Sequence, residues 1–175
     1  MPAIDFITAF GRLLREGSLR DAFVVNPQAV VARLNLTDDQ RVALLQLIPE
    51  DLEFQARVLL RKRLDIVRRI VPKSCRRLGM DEWKLFNEYA RSRWDKETDT
   101  PVRDAYYFCC HIEQTGPHAV EPAEWNRLRF LLGGKRFVTS FVRRNSCGIT
   151  QWPALQILIR GHRNRRHEFI LSIKL

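Results

Sequence analysis

The sequence predicts an α+β fold, a mainly helical N-terminal bundle followed by a small C-terminal antiparallel three-stranded sheet. Apolar residues recur at spacings of three and four from Ile4 to Leu131, which indicates amphipathic helices. After Gly133-Gly134 the pattern changes to alternation and β-branched residues. At 175 residues the chain is long enough to bury a core in one or two small units.

The helices are predicted from their caps and from the apolar positions that follow. Their predicted starts are residue 3, Asn26-Pro27, Thr37, Pro49, Met80, Thr100-Pro101 and Glu121-Pro122. Thr37 begins a capping-box pattern that ends at Gln40. The helix from Pro49 is long and basic, and we expect it to end at Val71-Pro72, because a residue before proline disfavours the helical conformation. A cationic turn and a glycine are predicted to follow.

Three strands are predicted over 137–142, 155–159 and 168–173. Residues 161–164 read as a turn, so the last two strands should form a hairpin. The change of pattern predicts a domain boundary near Gly134. We therefore expect a helical domain over 1–133 and a β-hairpin or sheet element over 134–175.

The charge is strongly basic and unevenly placed. The net charge is +10. Nine basic residues and one acid, Glu168, lie between Gly133 and the C-terminus, and nine more basic residues lie between Arg57 and Arg77 with Asp65 as their only acid. Such a balance favours an acidic polypeptide, nucleic acid or an anionic membrane surface as partner.

The N-terminus lacks the features of a signal peptide, and no apolar run reaches the roughly 18 to 20 residues that span a bilayer. The four cysteines show no paired spacing and are interpreted as reduced thiols. We therefore expect a cytoplasmic protein.

Nothing in the sequence resembles a catalytic constellation, so we expect no enzymatic activity and no cofactor in this chain. Cys109-Cys110-His111 is the nearest approach to a metal motif. Adjacent cysteines on a helix point about 100° apart, so small buried residues are favoured over ligands. The aromatic residues allow two interpretations, core packing or a base-stacking platform, and core packing is favoured for Trp83, Phe86 and Tyr89 in one helix and for Phe137, Phe141 and Phe169 in the tail.

Two basic regions are candidates for binding. The arginines of the long helix and the turn after it form either a solvated face or the contact for an acidic partner. The tail sheet must have an edge strand, which either accepts an extended peptide or is guarded by its arginines. The residues predicted to bind a peptide, from charge and strand position, are Arg143, Arg144, Leu155, Ile157, Ile159, Arg160 and Arg163.

Residues from about Leu59 to Ile112 resemble a known helical module. The resemblance lies in a basic pair within a helix, Val71-Pro72, Leu78-Gly79, an aromatic helix with Trp83, Phe86 and Tyr89, and a helix led by Pro101. It is similar to the partner proteins of multinuclear non-haem iron oxygenases in ribosomal peptide natural-product biosynthesis. The helical front and β tail are most similar to the partner subunits of 3-thiaglutamate pathways.

The resemblance implies a non-catalytic subunit. The oxygenase would hold the iron and modify a cysteine of the precursor peptide, while this chain would bind the leader region and dock on the enzyme as a hetero-oligomer, such as a heterodimer. The docking residues expected on the helical part are Arg61, Arg68, Arg69, Arg76 and Arg77. The alternative is a nucleic-acid-binding transcriptional regulator, although no clear helix-turn-helix with a polar recognition helix is present.

Overall fold

A computed structural model describes residues 5–92, 100–115, 120–142, 154–161 and 166–172. It confirms the α+β class, since helices are followed by a three-stranded antiparallel sheet. The elements are α1 (Phe6–Arg15), α2 (Gly17–Val25), α3 (Pro27–Arg33), α4 (Asp38–Leu45), α5 (Pro49–Ile70), α6 (Pro72–Leu78), a 3-10 turn (Gly79–Asp81), α7 (Glu82–Ser92), α8 (Pro101–Thr115), α9 (Pro122–Leu132), β1 (Phe137–Val142), β2 (Ala154–Arg160) and β3 (Arg166–Ser172).

The chain divides into two compact units, and the division differs from the predicted boundary near Gly134. The first unit contains residues 1–65 and 86–96, and the second contains residues 66–85 and 97–175. The sheet therefore shares its unit with several helices. The reason is packing, because Ala123 of α9 forms one apolar cluster with Val142, Ala154 and Ile170 of the sheet.

The first unit is built around an apolar core. Its buried members are Ala9, Leu13, Phe23, Val30, Val31, Leu34, Leu36, Leu44 and Leu52. Arg20 is buried beside this core and donates hydrogen bonds to Glu53 and to the carbonyls of Leu13 and Leu14. A buried charge needs such partners. The helix that carries Arg20, α2, is absent from the sequence prediction because its apolar pattern is short.

The predicted cationic turn after α5 is wrong, since residues Pro72–Leu78 form the helix α6. Pro72 interrupts α5 as expected, but it then occupies the first turn of a new helix, where its missing N–H is harmless. The carboxylate of Glu124 accepts hydrogen bonds from the backbone N–H groups of Lys73 and Ser74, both at 2.8 Å, and from the Ser74 hydroxyl at 2.7 Å. A residue distant in sequence thus caps α6, and no local pattern could indicate it.

The sheet has the strand order β1-β2-β3, with both pairs antiparallel. Phe137 pairs with Ile159 and Val142 with Ala154, while Ala154 pairs with Ser172 and Arg160 with Arg166. The predicted strands are confirmed to within two residues at each end. Of the turn predicted over 161–164, residues 162–164 lie outside the described residues.

Candidate functional site

One face of the sheet packs on α9. Gln156, in the middle of β2, is fully buried there. Its amide donates to the carbonyl of Ala123 at 2.9 Å and to Glu168 at 2.8 Å, and its oxygen accepts from Ser140 at 3.1 Å and from Asn126 at 3.3 Å. This network fixes the three strands to the helix, because each of its polar groups would otherwise be buried without a partner.

The opposite face is apolar and exposed. Residues paired across antiparallel strands share a face, so the register defines its three cross-strand rows. The rows are Phe137–Ile159–His167, Thr139–Ile157–Phe169 and Phe141–Leu155–Leu171. Seven of these nine side chains are apolar. We call this set the open face.

The aromatic residues of the tail belong to the open face. Phe137 is 57% exposed, Phe141 63% and Phe169 49%. The expectation that they pack in the core is therefore wrong, whereas Phe86 and Tyr89 of α7 are buried as predicted. Exposed apolar side chains scattered singly need no explanation, but a contiguous set of this kind marks an interaction surface.

The register also shows which backbone groups point outward from the sheet. The N–H of Arg160 donates to the carbonyl of Arg136 at 2.8 Å, so these two residues form a hydrogen-bonded pair. Such pairs alternate along an antiparallel ladder. Phe137, Thr139 and Phe141 therefore direct both N–H and C=O away from β2, along the outer edge of β1.

The two edges of the described sheet differ in charge. The outer edge of β3 includes Glu168, whose carboxylate lies 3.6 Å from Arg127 and accepts from Gln156. The described part of the β1 edge has no acidic residue, and the exposed Lys135 and Arg136 come directly before it. The β3 edge also includes the exposed Arg166, so it carries charges of both signs, whereas the described charges beside β1 are all basic and would attract an acidic strand.

The predicted peptide-binding residues that the structure describes do not lie at an edge of the sheet. Leu155, Ile157 and Ile159 lie in β2, the central strand, where the backbone is bonded to β1 on one side and to β3 on the other. They cannot pair with an added strand, and only their half-buried side chains on the open face remain available. Arg143, Arg144 and Arg163 lie outside the described residues.

Arg160 has a structural role. Its guanidinium donates to the carbonyls of Phe130 at 3.0 Å and Gly133 at 2.8 Å, and it lies over the Phe130 ring at 5.4 Å. These bonds satisfy carbonyls at the C-terminal end of α9, which have no partner inside the helix. Arg160 thus ties β2 to α9, and its side chain is not available as a peptide contact.

The predicted docking arginines fall into two groups. Arg68 donates to both oxygens of Glu82, and Arg77 lies 2.6 Å from Glu121. Both are therefore used within the second unit. Arg61, Arg69 and Arg76 are exposed. Of the five, Arg68 and Arg76 line one cleft of about 370 Å³, beside Pro72, Cys75 and Gly79.

Two cysteines of the second unit, Cys75 and Cys109, are buried in surroundings that disfavour the thiolate. Burial raises the pKa of the Cys75 and Cys109 thiols, and carboxylates such as Glu82 and Glu124 raise it further. A thiol held protonated is a poor nucleophile and a poor ligand. Within the described ranges, no group of three His, Cys, Asp or Glu side chains is arranged to hold a metal ion. Cys147 lies outside them.

Comparison with known families matches residues 47–114 to the SCO6045-like, C-terminal domain. The matched segment contains α5, α6 and α7 and ends one residue before the end of α8, so it stops short of α9 and the sheet. No curated protein and no solved structure matches the chain. Among the described helices, none is both long and apolar enough to cross a membrane.

Proposed function

We propose that this chain is a non-catalytic, cytoplasmic partner subunit that binds the leader region of a ribosomal precursor peptide and presents it to a multinuclear non-haem iron oxygenase. The observation that carries the proposal is the outer edge of β1. At this edge the backbone groups of Phe137, Thr139 and Phe141 point outward. The basic residues Lys135 and Arg136 come directly before it, and its described part has no acidic residue.

Strand addition explains why the edge and the open face occur together. A peptide that pairs with β1 places alternate side chains on the same face as Phe137, Thr139 and Phe141. Those side chains would extend the three apolar rows by one position and cover part of the exposed aromatic surface. Backbone hydrogen bonds then supply affinity, and the rows select apolar residues at every second position of the peptide.

The helical part supplies the surface for docking on the oxygenase in this proposal. Of the predicted arginines, Arg69 and Arg76 are the strongest candidates in the second unit, since both are exposed and neither has an ion-pair partner among the described residues. Arg68 and Arg77 are already engaged by Glu82 and Glu121. An acidic patch on the enzyme would steer association through the exposed pair.

The direct test is co-purification. A tagged copy of this chain is expressed with the untagged genes that neighbour its own, and the eluate at about 300 mM salt is identified by mass spectrometry and metal analysis. We expect an iron-containing oxygenase and a short peptide. Elution of neither from a folded, tagged chain contradicts the proposal.

Nucleic-acid binding is the second candidate, and one observation favours it. The exposed rings of Phe137, Phe141 and Phe169 lie on a sheet with basic flanks, the arrangement on which single-stranded bases stack. A binder that contacts six to ten phosphates loses ~10³ to 10⁵ in affinity between 50 and 200 mM salt. Strand addition depends on backbone pairing and should lose far less, so a salt titration separates the two.

A further inference from the structure

A cationic aromatic cleft lies in the second unit, apart from the open face. It has a volume of about 470 Å³ and is lined by Arg103, Tyr106, Tyr107, Arg129, Leu132 and Gly133. Its walls are the first half of α8 and the C-terminal end of α9. None of these residues belongs to the sites described above, and the volume is sufficient for a side chain of a bound polypeptide.

The aromatic side chains at the cleft pack against one another. The rings of Tyr106 and Trp125 stack with centroids 5.0 Å apart and an interplanar angle of 19°. Tyr107 meets Tyr106 edge to face at 5.6 Å. The Arg129 guanidinium lies 4.5 Å from the centroid of the Trp125 ring. Because Trp125 already contacts both Tyr106 and Arg129, the cleft is better suited to a charged group at its arginines than to a stacked base.

The charge of the cleft is uncompensated. Arg103 and Arg129 are exposed, and neither guanidinium has a carboxylate within ion-pair distance among the described residues. By contrast, Arg68 and Arg77 in the same unit each contact a glutamate. Two guanidiniums at one cleft present planar N–H donors that match the geometry of a carboxylate, and the half-exposed Leu132 adds an apolar contact.

The cleft adjoins the edge proposed for the peptide. Gly133 lines it and lies four residues before Phe137, the first residue of β1. Four residues span at most about 13 to 14 Å. The two hydrogen bonds from Arg160 to the carbonyls of Phe130 and Gly133 fix the end of α9 to the sheet. The position of the cleft relative to the β1 edge is therefore fixed within the second unit.

We infer that this cleft binds the carboxylate of an acidic side chain in the peptide that pairs with β1. The inference rests on the proposed function and adds an anchor position to it. Since β1 leads away from the cleft, a strand added antiparallel to β1 leads toward it. The acid therefore lies on the C-terminal side of the peptide's paired segment, within about four residues.

The test uses the full chain and peptides selected from a displayed random library of about 12 residues, long enough for a strand and one flanking acid. We expect selected peptides to alternate apolar residues and to carry Asp or Glu after them. Arg103→Gln and Arg129→Gln should each weaken binding about five- to tenfold, as loss of a charge-assisted contact at an exposed site does. Arg57→Gln, at an exposed arginine of α5, is the matched control.

A second substitution, in the peptide, replaces its Asp or Glu with Asn or Gln and completes a double-variant cycle. We expect that change to weaken binding to the native chain and to have little further effect on the Arg103→Gln, Arg129→Gln double variant. An equal loss with both proteins, or selected peptides that lack the acid, overturns the inference. The cycle stays informative if one arginine variant is less stable, because it compares peptides on the same folded protein.

A separate pair of variants tests the proposed function. The N–H of Thr139 points outward, so Thr139→Pro removes a donor for an added strand and no bond to β2, while Thr139→Val keeps the donor. Binding lost in the proline variant and kept in the valine variant supports strand addition, whatever the cleft does. Binding unaffected by Thr139→Pro, or a library that yields no ligand, contradicts strand addition and the anchor with it.

Discussion

The two faces of the sheet differ in what covers them and in the residue at their centre. The face packed on α9 contains Gln156 at its centre, fully buried and bonded to four groups. The open face carries phenylalanines that are about half exposed or more, and Leu171 is 53% exposed. The two faces therefore have different roles. The packed face maintains the fold through its polar network, whereas the open face is apolar and uncovered and is suited to binding.

The largest expected difference between the faces is in stability. Leu158 is buried on the packed face, while Ile157, its neighbour in β2, is on the open face. Leu158→Ala should lower the free energy of unfolding by about 3 kcal/mol, because it leaves a cavity between sheet and helix. Ile157→Ala should cost less than about 1.5 kcal/mol. Denaturant unfolding of both variants measures the difference, and equal losses would show that the open face also contributes core packing.

A smaller effect is expected on affinity. Phe137→Ser with Phe141→Ser should weaken a strand-adding peptide about tenfold, because its alternate side chains lose their apolar neighbours. Stability should change by less than about 1 kcal/mol, since both rings are mostly in solvent in the free chain. The matched variant is Ile7→Ser with Val25→Ser, which removes two exposed apolar residues of the first unit. A double variant that unfolds, or that binds as the native chain does, would contradict this role.

The smallest effect concerns the start of the helix that covers the packed face. Burial raises the pKa of Glu121, which precedes α9, above its ordinary value of 4.5, and Arg77 opposes this rise. The folded chain therefore holds this proton more tightly than the unfolded chain. The resulting stability is fully present below pH 4.5 and is lost as the pH rises through the folded-state pKa.

Glu121→Gln should flatten that part of the profile of unfolding free energy against pH. Glu50→Gln, at an exposed position in the first turn of α5, controls for the loss of one carboxylate. A profile of the same slope in Glu121→Gln and the native chain would show that another group is responsible.

Much of the fold could be predicted from the sequence. The long helix α5, its end at Val71-Pro72 and the three strands follow from local pattern and from proline, and the structure confirms them. The helix α6 could not be predicted, because its cap is Glu124, about 50 residues away. The packing of α9 on the sheet could not be predicted for a related reason, since a change of pattern at Gly134 does not reveal it.

The faces of β2 show why the site was harder to predict than the fold. Alternation in Ala154–Arg160 places Leu155, Ile157 and Ile159 on one face of the strand and Gln156 on the other. It does not show that the covered face is the one with Gln156, which finds four partners on α9 and the neighbouring strands. Alternation identifies a strand and its two faces, but only the tertiary partners decide which face is covered. The cleft at Arg103 and Arg129 gives no sequence signal, since it joins separate helices.

Pairing of a peptide with the outer edge of β1 can be observed by amide hydrogen exchange. The exchange of the Phe137, Thr139 and Phe141 amides is measured by NMR with and without a co-purified or selected peptide. In the free chain these outward amides should exchange rapidly, while that of Arg160, bonded to Arg136, is protected. We expect bound peptide to slow exchange at alternate residues of β1 and to leave the outward amides of β3 unchanged. Saturating peptide with no protection along β1, or with protection along β3 instead, would contradict it.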